Sequence, residues 1–295
     1  MSAITVSAPT SSINIRAFAG RLLRNRTVLF GLCILVLLAL ISIFASWLWT
    51  VDPAAIKPRL RLRPPSAVNW LGTDNLGRDI WSRLVYGSRV SLVVGGSVAF
   101  IAVALGSLLG LIAGMVRWID NVLMRMMDGM MAIPAILLAI ALIGGLGPSI
   151  TAICIAIAIP EIPRVARMVR SVVLTVREEA YVEAAVSMGT RLPVLMARHI
   201  VPNIMAPLIV QATYIASSAI LIEASLSFLG IGMPDEIPSW GNMMSDARLY
   251  FQVRPGLMLF PGICIALTVL GINRLGDGLR DMLDPRLARS VGGPK

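Results

Sequence analysis

Lysine is all but missing from this chain of 295 residues, occurring only at Lys57 and Lys295. Neither sits in the glycine-rich setting that cradles the phosphates of a nucleotide, so the chain lacks a phosphate-binding loop and cannot hydrolyse ATP alone. Histidine occurs once, at His199, and cysteine three times, at Cys33, Cys154 and Cys264, each inside an apolar run. One imidazole and three scattered thiols make neither a metal site nor a disulfide framework. The lone histidine also argues against an intramembrane protease, which needs a base within reach of its nucleophile at membrane depth. Charged residues amount to 14%, against about a quarter in a soluble globular chain.

Apolar residues fill the gap, at 57% with a mean hydropathy of +0.81. The chain is therefore expected to be an all-α integral membrane protein. A net charge of +10 does not indicate nucleic acid, because the arginines separate apolar runs of about 20 residues instead of forming a basic face with interleaved aromatics. Arg16, Arg21, Arg24 and Arg26 precede the first run, from Val28 to about Trp49. That run is too long for the core of a cleavable signal peptide and reads as a retained span. Further runs extend over Val90–Val116, from near Val122 to a Gly144-to-Ser149 turn, over Ile150–Val169, over Ile204–Leu229 and over Gly256–Ile272. Glycines at 106, 110 and 114 recur at four-residue spacing in the second run, which suits close packing of helix backbones.

Charges inside such runs are costly unless paired. Asp128 and Glu161 are expected to pair with Arg164 or Arg167 near the inner face, and Glu223, the single charge of the fifth run, is a further candidate for intramembrane charge pairing. A substrate or proton role for these carboxylates is the competing reading.

Between the fourth and fifth runs, Tyr181 to Asn203 has the wrong composition to cross a bilayer. Alanines at helical spacing follow Glu178 and Glu179, whose charge suits the positive end of a helix dipole. Gly189 is placed to end this helix in a left-handed backbone, and Pro193 to open a second. From the residues alone, the stretch is a helical hairpin.

Glu183-Ala184-Ala185, then Gly189, then Pro202 thirteen positions later, resembles the coupling loop of ABC importer permeases. His199 and Val201 depart from the general pattern, while His199, Ile200, Pro202 and Asn203 look like the oligopeptide, dipeptide and nickel branch. Trp70-Leu71-Gly72-Thr73-Asp74, with Gly77-Arg78-Asp79, resembles a signature of the same branch, with Asn69 where a histidine is usual. Its amphipathic continuation through Trp81 and Leu84 suits an interfacial helix, with Arg78, Asp79 and Arg83 wet or paired. This stretch is either a structural lid or a ligand contact. The segments Glu223-to-Gly230 and Leu275-to-Arg286 are also similar to this branch, whereas the region near Ile162 lacks the tryptophan often found there.

The resemblance implies six transmembrane helices in the type I ABC importer permease fold. The expected divisions are a cytoplasmic lead at 1–27, a first transmembrane helix at 28–49 and an extracytoplasmic loop with an amphipathic helix at 50–91. A five-helix core at 92–274, with its coupling loop at 171–203, and a cytoplasmic tail at 275–295 complete the chain. It further implies that Glu183, Ala184, Ala185, Gly189, His199, Pro202 and Asn203 dock on an ATPase. The implied partners are a second homologous permease chain, two ATP-binding subunits that hold ATP and Mg, an extracytoplasmic solute-binding protein and membrane lipid. No catalytic residue, cofactor or metal is expected in this chain. With both termini in the cytoplasm of a bacterium, seventeen of the 26 lysines and arginines lie inside and nine outside, as the positive-inside rule requires. Peptide is the expected cargo, with a nickel chelate, glutathione or another small solute as the alternative. A secondary transporter would fit the hydropathy, but no repeat of broken helices is visible.

Overall fold

The computed structural model describes residues 25–283, whose regular elements are helices, with a largely irregular segment at 48–79 that holds a single Thr73–Asp79 bridge. The arginines at 16, 21 and 24 and the tail from Asp284 onward lie outside the described residues. Ten α-helices organise the rest. Helix α1 is Arg26–Ile43, α2 is Ile80–Met115, α3 is Arg117–Met131, α4 is Ala135–Leu146 and α5 is Ile150–Arg177. Helix α6 is Ala180–Ser187, α7 is Leu192–Leu195, α8 is Val201–Phe228, α9 is Trp240–Ala247 and α10 is Gly256–Leu283.

Four stretches are long and apolar enough to cross a membrane, namely α1, α2, Leu192–Phe228 and α10, and the bent pair α3–α4 would make a fifth. Helix α5 has the length, at 28 residues, but Glu161, Arg164 and Arg167 interrupt its middle.

Helix α2 is the post around which the others gather. Asp79 caps its N-terminus, its carboxylate accepting from the Ser82 N–H at 2.8 Å. At 1.5 Å per residue, its 36 residues extend about 54 Å, well beyond a hydrocarbon core of about 30 Å. The expected boundary at residues 91/92 therefore falls inside one continuous helix, and the amphipathic stretch from Ile80 forms its first turns instead of a separate interfacial helix. Backbone hydrogen bonds do not stop where hydropathy changes.

The glycine stripe faces α5. A Cβ on Gly110 would lie 2.5 Å from the Ala166 carbonyl oxygen, and one on Gly106 would lie 2.5 Å from Val165 Cβ. Only hydrogen at these positions lets the two backbones meet. On the far side, α1 packs against α10, where a Cβ on Gly31 would lie 2.6 Å from the Gly271 oxygen.

Three further expectations need correction. The third apolar run is not one straight span, because α3 and α4 meet at 90°. Pro134 cannot donate a helical hydrogen bond and its ring clashes with the preceding turn, so α3 stops at Met131. The first helix ends at Ile43 rather than Trp49, and a 3₁₀ turn at Ala45–Trp47 follows. Helix α10 runs unbroken past the expected boundary at 274/275 to Leu283.

The loop after α8 is folded back onto the bundle. Gly230 turns the chain at φ 82°, Ser239 caps α9, and Trp240 is 1% exposed. The Trp240 indole N–H donates to the Leu84 carbonyl at 3.0 Å. Gly87 leaves room for that ring, since a Cβ there would come within 2.8 Å of it.

Candidate functional site

The hairpin from Ala180 to Asn203 hangs from the end of α5. Helix α6 starts after Glu179, and its C-terminus closes through the Gly189 N–H donating to the Val186 carbonyl at 2.9 Å and the Thr190 N–H to the Ala185 carbonyl at 3.1 Å. Gly189 has φ 77°, the left-handed backbone that such a closure uses. Pro193 lies in the first turn of α7. The second limb is not a free short helix, however. From α7 the chain passes through a π-helical turn at Met196–Ile200 straight into α8, so any tilt of this limb is carried to a membrane helix.

Two sets of residues share the hairpin. Val182, Ala185, Leu195 and Ile200 are buried and hold its limbs against the bundle. The Asn203 side-chain amide donates to the His199 carbonyl at 2.6 Å and to the Tyr181 hydroxyl at 3.2 Å, and the Tyr181 and His199 rings stand 6.1 Å apart. The clasp thus ties α6 to the start of α8. Glu183, Ala184, Gly189 and Pro202 are exposed. Beside them Tyr181, Val186, Met188, Leu192 and Val194 are each about half exposed or more, Met188 reaching 79%. Such a concentration of apolar side chains on a segment too polar to lie in lipid is suited to a protein partner.

Arginines of α5 hold the carboxylates of this region. Glu161, 3% exposed, accepts from Arg164 at 2.6 Å, and Asp128 pairs with Arg167 on a more open surface. Arg170 grips Asp120 with two donors, one of them at 2.6 Å, a pair that the sequence reading did not identify. Glu223 departs from the expected charge pairing. It is 1% exposed, accepts from the Ser227 hydroxyl at 2.8 Å, and has no cationic partner among the described residues. The neighbouring turn at Met233 and the Ser239 cap of α9 supply polar groups there, but no arginine.

At the N-terminal end of α2 a buried cluster joins residues remote in sequence. Asp74 accepts from Arg78 and Arg83, each at 2.6 Å, and Asp246 of α9 accepts from the same two arginines at 2.6 and 3.2 Å. Arg78 and Arg83 are 4% and 2% exposed, so they are paired rather than wet. Asn69, standing where the branch usually has histidine, donates to Asp79 at 2.8 Å. Asp74 and Arg78 stand four residues apart in the motif and could have been matched from spacing; Asp246 gave no signal, being 168 residues from Arg78.

Residues 106–289 match the family model of the inner membrane component of binding-protein-dependent transport systems, and residues 15–65 match that of the N-terminal transmembrane domain of oligopeptide transport permease C. The chain is 50% identical over 266 residues to a probable peptide ABC transporter permease of Sinorhizobium fredii, covering 90% of this chain and 91% of that one. A dipeptide transport system permease of Alkalihalophilus pseudofirmus is 47% identical, with 90% and 88% covered. A glutathione transport system permease of Pectobacterium atrosepticum is 40% identical, with 92% and 91% covered.

Proposed function

The chain belongs to the family of inner membrane components of binding-protein-dependent transport systems, and from that membership we propose how it works as the permease subunit of a peptide importer. It is a multi-pass protein of the inner membrane. Six passes are made by α1, α2, the bent pair α3–α4, α5, α8 and α10, leaving both termini in the cytoplasm. It pairs with a second homologous permease and binds no cofactor of its own. Two ATPase subunits hold ATP and Mg, and a solute-binding protein delivers peptide from outside.

The observation that carries this reading is the hairpin of α6 and α7: a framed, partly apolar surface on a polar segment, continuous with α8. When the ATPase dimer closes, Glu183, Ala184 and the apolar side chains around Gly189 move with it. The clasp of Tyr181, His199 and Asn203 passes that movement to α8 as a rigid-body tilt, and the bundle switches between two packings. The energy available for the switch is the difference in docking free energy between the two states.

Reconstitution tests the proposal. Proteoliposomes holding both permeases, both ATPase subunits and the binding protein should accumulate a dipeptide only with ATP. Uptake driven by a proton gradient, with the permease pair alone, would overturn it.

A further inference from the structure

We propose that a cavity at the inner ends of α2 and α5 holds the phosphate of an anionic phospholipid. The cavity, of about 380 Å³, is lined by Gly114, Arg117, Asp120, Arg170, Arg177 and Glu178. Asp120 is taken up by Arg170. Arg177 spends one nitrogen on the Gly114 carbonyl at 2.7 Å, leaving its other donors, and Arg117 has no carboxylate partner among the described residues. With Glu178 counted, the lining has one positive charge in excess, which a phosphodiester would neutralise. The uncapped N-terminus of α3, 15 residues long, opens at the same place and adds free N–H groups to the same charge preference.

Depth selects a lipid over a soluble phosphate. Counting about 1.5 Å per residue from Ile150, the hydrocarbon core of about 30 Å ends near Val169, so Arg170 falls in the headgroup zone and Arg177 about 10 Å further along, with the cavity between them opening on the headgroup layer. Helix α3 is held to α5 at two points, Asp120 to Arg170 and Asp128 to Arg167. It therefore advances about 12 Å along its own axis while α5 rises only about 4.5 Å, which means that α3 crosses this zone at a shallow angle. Along it Trp118, Val122 and Met126 form a stripe at four-residue spacing, 74%, 60% and 62% exposed. This apolar stripe lies on the face of α3 turned away from Asp120 and Asp128, so α3 offers a tryptophan and apolar side chains to the bilayer interface at the depth where the cavity offers its arginines.

The inference rests on the coupling hairpin facing the cytoplasm. The test is lipid retention by the assembled transporter, purified from vesicles of phosphatidylcholine with a minority of phosphatidylglycerol and analysed by mass spectrometry without ATP or peptide. Wild type should be enriched in phosphatidylglycerol. Arg117→Gln, which breaks no hydrogen bond to the fold, should lower that enrichment about five-fold; Arg117→Lys should retain most of it, and Arg117→Gln/Arg177→Gln should abolish it. Arg125→Gln, removing the same charge elsewhere on α3, should change little. No enrichment in wild type, or an equal loss in Arg125→Gln, would overturn the proposal. Displacement of the lipid by millimolar inorganic phosphate would assign the cavity to a soluble anion, and enrichment in the isolated chain that vanishes on assembly would assign it to a protein interface; either result refutes lipid as the occupant. Because retention is read without transport, a complex that keeps the lipid but fails to couple ATP to uptake would count against the function proposed above and not against this site.

Discussion

Replacing Gly189 by valine tests the coupling hairpin most directly. Its φ of 77° is strained for any side chain, and a β-branched residue there costs on the order of 1 to 3 kcal/mol. The space around an added Cβ is open, with nothing within 4 Å, so the cost comes from the backbone and not from a clash. The chain relieves it by unwinding the turn, which gives up the bonds from Gly189 to Val186 and from Thr190 to Ala185, each contributing about 0.5 to 1.5 kcal/mol. The frame of Val182, Ala185, Leu195 and Ile200 stays buried, so insertion and yield should hold while α6 loses its angle to α7. Gly189→Val should therefore abolish the peptide-stimulated ATPase rate of the reconstituted complex, Gly189→Ala should lower it less, and Gly189→Asn, which tolerates the left-handed region, should lie nearest wild type. Co-purification of the ATPase subunits is measured on the same samples. A wild-type rate and recovery in Gly189→Val would refute the coupling role, and equal loss in the valine and asparagine variants would show that backbone conformation is not the cause.

Removing Asp74 leaves Arg78 and Arg83 buried with only Asp246 to share, so Asp74→Asn should destabilise by about 3 to 5 kcal/mol, seen as a large fall in melting temperature in detergent. Asp246, at 29% side-chain exposure, should give a smaller fall when changed to asparagine. Gly110→Ala should cost about 1 to 3 kcal/mol by driving α2 from α5, whereas Gly96→Ala, with nothing within 4 Å of its Cβ, should leave the same melting curve nearly unmoved. If Asp128 and Arg167 act as a pair, Asp128→Asn and Arg167→Gln should lower the yield of assembled transporter equally and the double variant no further; additive losses would show that they act separately.

The all-helical membrane character, the family and the helix, turn and helix around Gly189 were legible from residue order, because each is set by local quantities. An apolar run of sufficient length has few options in lipid other than a helix. A glycine after an alanine-rich helix, followed by proline, specifies its turn within five residues. The four-residue glycine stripe announced a close backbone contact on α2, though not that α5 supplies it. What tertiary structure alone decided was partnership at a distance. Asp246 reaches Arg78 across 168 residues only because α9 folds back through Trp240 and the space at Gly87. Asp120 meets Arg170 only because α3 turns 90° from α4 and crosses α5, and the same crossing selects Arg167 over Arg164 as the partner of Asp128. Glu223 was grouped with the intramembrane ion pairs on composition, yet its surroundings are hydroxyls. Charge and hydropathy travel with the residue and can be read in sequence, whereas the partner that satisfies a buried group depends on which helix faces lie together.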